Sequence, residues 1–322
     1  MSFVRWIVTA AAILLLCAPL MLALAALSGV GHRWVDILAQ FTAPALMATL
    51  VLVAVLAVSR LWIATGAGGV VALLLLIALW PQWAPDKGTP APDAPTISLY
   101  SANLYIGNQN ADAIAASVRA ADADIVVMFE ANEALTPAFD RILAGYPHRL
   151  ISPGVDQDRV ERRIIASRWP LTAVRERADG LSDQTAVVDT PLGPVNIVGV
   201  HLTRPWPYQY QWGQITQVMA LEAVLADLSG PVIVAGDFNS VSSARIGRQI
   251  QNDLGLIPAS GWPGTWPAQL PPLFGITIDQ VYRSPDLAFI DRRLGQRTGS
   301  DHRPVITRFT LAQPPEPARP RP

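Results

Sequence analysis

The sequence predicts a four-layer α/β/β/α sandwich, two packed β-sheets flanked by helices, preceded by three transmembrane helices. Three observations carry that prediction. The chain is 51% hydrophobic, has a mean hydropathy of +0.31 and is only 15% charged, too apolar for an ordinary soluble protein of 322 residues. The excess lies almost wholly before residue 81, in three long stretches. Beyond it, strand-like and helix-like segments alternate with hairpins between them, and the strand-like runs end on polar residues that core packing does not want.

The three stretches, Ile7 to Leu27, Phe41 to Val58 and Leu61 to Trp80, each approach the ~20 residues needed to cross a bilayer. The first also fits a cleavable signal, with Arg5 ahead of the apolar run and small residues from Ala25 to Gly29; the other two remain as an anchor in either case. With the N-terminus inside, Arg5 and Arg60 are cytoplasmic and Arg33 and Lys87 lie outside, so the count of positive residues is tied. Three spans, or two after cleavage, carry the rest of the chain to the same side. The expectation is a multi-pass protein of the cell inner membrane whose globular part is extracytoplasmic, in the periplasm.

Trp80 and Trp83 fit an interfacial belt at the end of the third span. Residues 1–84 are therefore a membrane anchor, 85–95 (PDKGTPAPDAP) a stiff Pro-rich linker, 96–312 one globular domain and 313–322 (QPPEPARPRP) a disordered tail. The single Cys17 lies in the first stretch, so no disulfide framework exists.

Within the domain, residues 97–105 (ISLYSANLY) read as a strand with Asn103 near its end, and ADAIAASVRAADA as a helix packed on a sheet. DIVVMFEAN (124–132) is a strand-length apolar run closed by Glu130, and Leu135 to Leu143 is helical. RRIIASRWPL through TAVVDTPLGPVNIVGVHLT is β-like, with TPLGP as a hairpin turn. Tyr208 to Leu228 forms a long helix, PVIVAGDFNS a buried strand, and Ala244 to Asp253 a shorter helix; ITIDQVYRS and PVITRFTLA are strands.

Five of these strand ends carry Asn103, Glu130, His201, Asp237 with Asn239, and Asp279, while Asp301 and His302 precede the last strand. Any one of them is ordinary as a helix cap or turn residue. Together they matter, because strand ends in a layered α/β fold converge on one rim, where ligand sites form.

The ordered set SANLYIGN, DIVVMFEAN, RIIASRWPL, VGVHLTRP, VIVAGDFNS, TIDQVYRS and GSDHRPVI resembles the endonuclease/exonuclease/phosphatase superfamily over residues 96–312. Those metal-dependent phosphoesterases include deoxyribonuclease I, apurinic endonucleases, sphingomyelinases and inositol polyphosphate phosphatases, and the membrane-anchored bacterial members are the most similar. The resemblance implies Mg²⁺ or Mn²⁺, hard cations that take oxygen ligands. It makes Glu130 the first metal ligand, Asp301 a second or water-mediated one, and Asn103 their hydrogen-bonding neighbour. Asp237 would orient and deprotonate the attacking water, with Asn239 holding the phosphate or that water. His302 would stabilise the charge building on the phosphorus, Asp279 would hold its imidazole in the donating tautomer, and His201 would be a second donor. Two departures stand out: Asp279 is followed by Gln280 where relatives carry His, and ERRIIAS replaces a Gly-Asn-like pair.

Substrate contacts are expected from Arg204, Trp206 and Tyr208, because Pro205 and Pro207 hold an extended loop beside His201; Trp212, farther into the helix, is expected to cover the sheet edge. Arg162 and Arg163 are further candidates for a groove. Ser-based and phosphate-loop chemistry lack their motifs, and GAGG at 66–69 fits close helix packing. The expected partners are the bilayer and a phosphoester substrate: a nucleic acid, a phospholipid headgroup or a small phosphoester. No obligate protein partner is evident. A net charge of -1 without a Lys/Arg run lacks the footprint of a processive duplex binder. The competing reading is a catalytically inactive binding domain of the same fold in a membrane-associated role.

Overall fold

The computed structural model describes residues 3–152, 161–174, 180–205 and 211–314. Its first part is helical: α1 (Phe3–Leu15), α2 (Cys17–Ser28), α3 (Arg33–Ala39), α4 (Thr42–Val58) and α5 (Trp62–Trp83). Two runs, Phe3–Ser28 and Trp62–Trp83, are each long and apolar enough to cross a membrane. The middle stretch differs from expectation: α4 is preceded by α3 at a bend of 52°, and together the pair makes a third candidate span.

The rest is β1 (Ile97–Asn103), α6 (Ala111–Ala121), β2 (Ile125–Asn132), α7 (Phe139–Ile142), β3 (His148–Ile151), β4 (Glu161–Ser167), β5 (Leu171–Ala173) and β6 (Ser182–Thr190). Then come β7 (Gly193–His201), α8 (Gln211–Ala226), β8 (Val232–Asp237), α9 (Arg245–Leu254), β9 (Ile257–Pro258), β10 (Asp279–Arg283), β11 (Leu287–Leu294) and β12 (Val305–Leu311). One six-stranded sheet has the order β11-β12-β1-β2-β4-β3, the other β5-β6-β7-β8-β10-β9.

Both sheets are covered on both faces, which is why their central strands read as unbroken apolar runs. Along β1, Ile97 and Leu99 enter the core between the sheets with Val127, Ile197 and Ile233, while Tyr100 and Ala102 point outward to Ile114 and Val118 of α6. Along β8, Ile233 and Ala235 face inward, and Val232 and Val234 pack outward with Leu221 of α8 and Ile250 of α9. This is the four-layer sandwich, helix on sheet on sheet on helix.

Residues 85–95, expected as a stiff linker, are hydrogen-bonded to the sandwich. Phe289 N–H donates to Lys87 O, Ala91 N–H to Leu311 O and Gln313 N–H to Thr89 O, so the segment runs along the ends of β11 and β12. The helix expected over Leu135 to Leu143 splits into a tight turn over Glu133–Ala138 and the one-turn α7, with Pro137 at the break.

Candidate active site

Register decides where the polar strand ends meet. Asp237 closes β8 opposite His201 on the parallel β7 and opposite Asp279 on the antiparallel β10. The residue before it must be glycine: Gly236 has φ +155, and a Cβ there would lie 1.8 Å from Val200 O. In the other sheet the β2–β4 ladder shifts between Met128 and Ala131, and Glu130 sits in that irregularity with φ 51. A bulge of this kind re-aims a side chain at the cost of one ladder position.

The groups then touch in a chain. Asn103 Nδ2 donates to Glu130 Oε1 and to Asp237 Oδ2, both at 2.9 Å, tying the rims of the two sheets together. Ile106 N–H holds the second Glu130 oxygen at 2.9 Å, and Asn239 N–H holds Asp237 Oδ1 at 2.8 Å. His201 Nε2 stands 3.4 Å from Glu130 Oε1 and 3.8 Å from Asp237 Oδ2. His302 Nδ1 faces both Asp279 oxygens, at 3.0 and 3.1 Å, which turns its Nε2 toward Asp237 Oδ2 at 3.8 Å and Asp301 Oδ1 at 4.0 Å. The sequence-derived residues Asn103, Glu130, His201, Asp237, Asn239, Asp279, Asp301 and His302 are thus neighbours on one rim.

Burial shapes their charge states. It disfavours the imidazolium of His302, but Asp279, Asp237 and Asp301 outweigh it, and the ring is pushed up to about 10. Burial likewise pushes the Asp237 carboxyl above the usual carboxylate range, opposed by His302 and His201. Asn239 uses its own side chain on Leu202 O, at 2.9 Å, and its backbone is left-handed at φ 47, as a sharp turn after a strand demands.

Other expectations are redistributed. Gln280, where the resemblance leads one to expect a histidine, turns away from the site and donates to Ser240 O and Thr277 O. Arg163 is buried and bonds Ser152 Oγ, and Arg162 is paired with Glu133 at 2.8 Å, so neither lines a free basic groove. Arg204 is exposed, three residues past His201. Trp206 and Tyr208 lie outside the described residues. Trp212 does not cover a sheet edge: it is 67% exposed, on the outer face of α8. Trp266 was missed in the sequence, yet its Nε1–H donates to Asp301 Oδ2 at 3.2 Å.

The set fits a hard divalent cation. Glu130, His201 and Asp237 offer ligand atoms within 4.8 Å of one another. Asp301 Oδ1 is buried without a hydrogen-bond partner, as a carboxylate oxygen reserved for a cation would be. Carboxylate oxygens outnumber the single imidazole in that group, as a hard cation prefers.

A family model described as the Endonuclease/Exonuclease/phosphatase family matches residues 100–302, nearly the whole sandwich. The chain belongs to the endonuclease/exonuclease/phosphatase family. Members of the endonuclease/exonuclease/phosphatase family are hydrolases acting on phosphoesters. A UPF0294 protein of Vibrio parahaemolyticus is 34% identical over 99 residues, 30% of this chain and only 34% of that protein's length. An endonuclease/exonuclease/phosphatase structure from Beutenbergia cavernae is similar with a TM-score of 0.52 at 21% identity, covering 67% of this chain and 72% of that one. The mannosyl-6-phosphatase of Bacteroides thetaiotaomicron matches with a TM-score of 0.51 at 16% identity (66% and 99% covered). Sphingomyelinase C from Streptomyces griseocarneus matches at 0.50 and 18% identity (68% and 100% covered). These likenesses establish the shared fold.

Proposed function

We propose that this chain is a membrane-anchored, divalent-metal-dependent phosphoester hydrolase. The observation that carries the reading is the unbroken path of contacts from Glu130 through Asn103 to Asp237, and from Asp237 across to His302 and Asp279. Such a set has no packing purpose: it concentrates carboxylates in a desolvated rim, where ionised groups are costly unless used.

Glu130 and Asp301, with Asn103 fixing the Glu130 carboxylate, would hold Mg²⁺ or Mn²⁺. The cation supplies charge neutralisation of the phosphoryl oxygens. Asp237, a stronger base than an exposed carboxylate, takes a proton from the attacking water. Asn239 and His201 orient water and phosphate. His302, held at Nδ1 by Asp279, offers an Nε2–H to the negative charge that grows on the phosphoryl group. Arg204, Trp206 and Tyr208 follow His201 and are assigned to substrate contact.

Membrane crossing is supported by the placement of tryptophan. Trp6 and Trp62 are exposed at the helix ends that also carry Arg5 and Arg60, and Trp34 and Trp80 are exposed at the opposite ends, beside the catalytic domain. With Arg5 and Arg60 cytoplasmic, the domain lies on the periplasmic side of the inner membrane. Turnover by the full chain of a panel of DNA, RNA, phospholipids and sugar phosphates, with Mg²⁺, Mn²⁺ or EDTA, tests the activity. Glu130→Gln is expected to lower turnover by about 10² or more, since an amide matches a carboxylate poorly toward a hard cation. Turnover unaffected by EDTA, or wild-type Mn²⁺ dependence in Glu130→Gln, would reject the assignment. Substrate binding with no metal-dependent turnover would instead favour an inactive binding domain.

A further inference from the structure

We propose that the substrate is amphiphilic, a phosphoester headgroup on an apolar tail, and that it reaches the site from the bilayer surface across a rim formed by residues 262–274 and the α3–α4 junction. The proposal rests on the phosphoesterase and membrane-anchor readings above. Its first support is that the membrane layer and the site are one side chain apart. Phe41, between α3 and α4, packs in a single apolar cluster with Trp266, Val241, Ala244, Ile276 and Ile278. The same Trp266 donates to Asp301, a member of the site.

The loop that leaves Asp237 is held from the same direction. Ser243 Oγ donates to Gln82 Oε1 at 2.9 Å, Arg245 N–H to Asp36 Oδ1 at 2.6 Å, and Arg245 Nη1 to Gly31 O at 2.8 Å. Gly261 N–H donates to Gln82 O at 2.7 Å, and a Cβ at Gly261 would meet Gln82 at 2.4 Å. Contacts this close fix the mouth of the site at the domain-side end of the helices.

The rim itself is apolar where a soluble substrate gains nothing from it. Leu270 and Leu273 are 45% and 41% exposed on a segment stiffened by Pro267, Pro271 and Pro272, and the turn Pro272–Phe274 packs against α4. Exposed leucines on a rigid loop beside spanning helices insert into the headgroup–acyl boundary, as interfacial apolar groups do. Arg162 is paired with Glu133 and Arg163 with Ser152, so neither of these two arginines is offered to a long polyanion.

The test uses the full chain in dodecyl maltoside micelles, which contain no phosphoester. Two substrate pairs share a reacting group and differ only in the tail: ethyl and hexadecyl p-nitrophenyl phosphate for diester cleavage, and ethyl and hexadecyl phosphate for monoester cleavage. For whichever pair is turned over, kcat/KM for the hexadecyl compound is expected to exceed that for the ethyl compound about 10²-fold, through effective concentration at the shared surface. The ratio should fall roughly tenfold in Leu270→Ser with Leu273→Ser, which removes the inserting groups. A ratio near one, a ratio unchanged in the double variant, or a preference for a single-stranded oligonucleotide over both tailed esters overturns the proposal. In those cases turnover that still depends on Glu130 leaves the phosphoesterase reading standing. Turnover of neither pair nor of the oligonucleotide, with either metal, overturns this proposal, and turnover of no member of the wider panel of nucleic acids, phospholipids and sugar phosphates removes the phosphoesterase reading with it.

Discussion

Asp301 has one carboxylate oxygen bonded by Trp266 and the other buried without a hydrogen-bond partner, which on the proposed metal reading gives Trp266 a positioning role. Trp266→Phe keeps a ring in the apolar cluster but removes the donor. It should raise the half-saturating Mg²⁺ concentration about tenfold, the usual scale for losing an orienting group behind a ligand. A metal titration of activity checks it, and an unchanged midpoint would mean the bond orients nothing. His302 supplies a second prediction. Its folded-state pKa lies above the ordinary 6.5, at about 10. The stability this contributes is therefore complete below 6.5 and is lost as pH rises through about 10. Urea unfolding in EDTA should show wild type and His302→Gln converging between neutral pH and about 10, and a constant gap would deny the pairing with Asp279. At this scale the sequence was legible wherever a polar residue interrupts an apolar run, as at Glu130 and Asp237. It was not legible at Trp266, whose partner is 35 residues away from a loop with no periodicity.

Elements explain why the legible residues converge. The expectation of two packed sheets followed from strands and helices that alternate with hairpins between them, and the structure has that arrangement. Register was beyond the sequence, because it depends on which strands pair, and β8 lies between β7 and β10 from distant parts of the chain. The same holds for α3, too short and mixed in polarity to stand out, although its Asp36 reaches the loop before α9. Gly236 is where register and chemistry depend on one residue. Gly236→Ala puts a methyl group 1.8 Å from Val200 O, so β7 and β8 must separate or the turn to Asn239 must shift. The expected loss is about 3 kcal/mol or more, within the range for strain at a special backbone position. Thermal unfolding measures it; a melting temperature within a degree or two of wild type would show that the strands part without cost.

On the scale of the whole molecule, the helical layer and the sandwich are joined by hydrogen bonds and a shared apolar cluster as well as by the chain. Without residues 1–84, Gly261 and Ser243 lose their hydrogen bonds to Gln82, and Arg245 loses those to Asp36 and Gly31. Hydrogen exchange on a chain beginning at residue 85 should therefore be faster at 240–246 and 260–274 than in the full chain, with the central strands unaffected. Equal protection in both would make the contacts incidental. The bridge between Pro90 and Ala312 has a separate implication. The sandwich starts and stops at a single point on its surface, so it is a cassette with paired leads. Such a unit can be spliced into a surface loop of an unrelated host, or reopened at a new site with its old ends joined by a few residues, without redrawing either sheet.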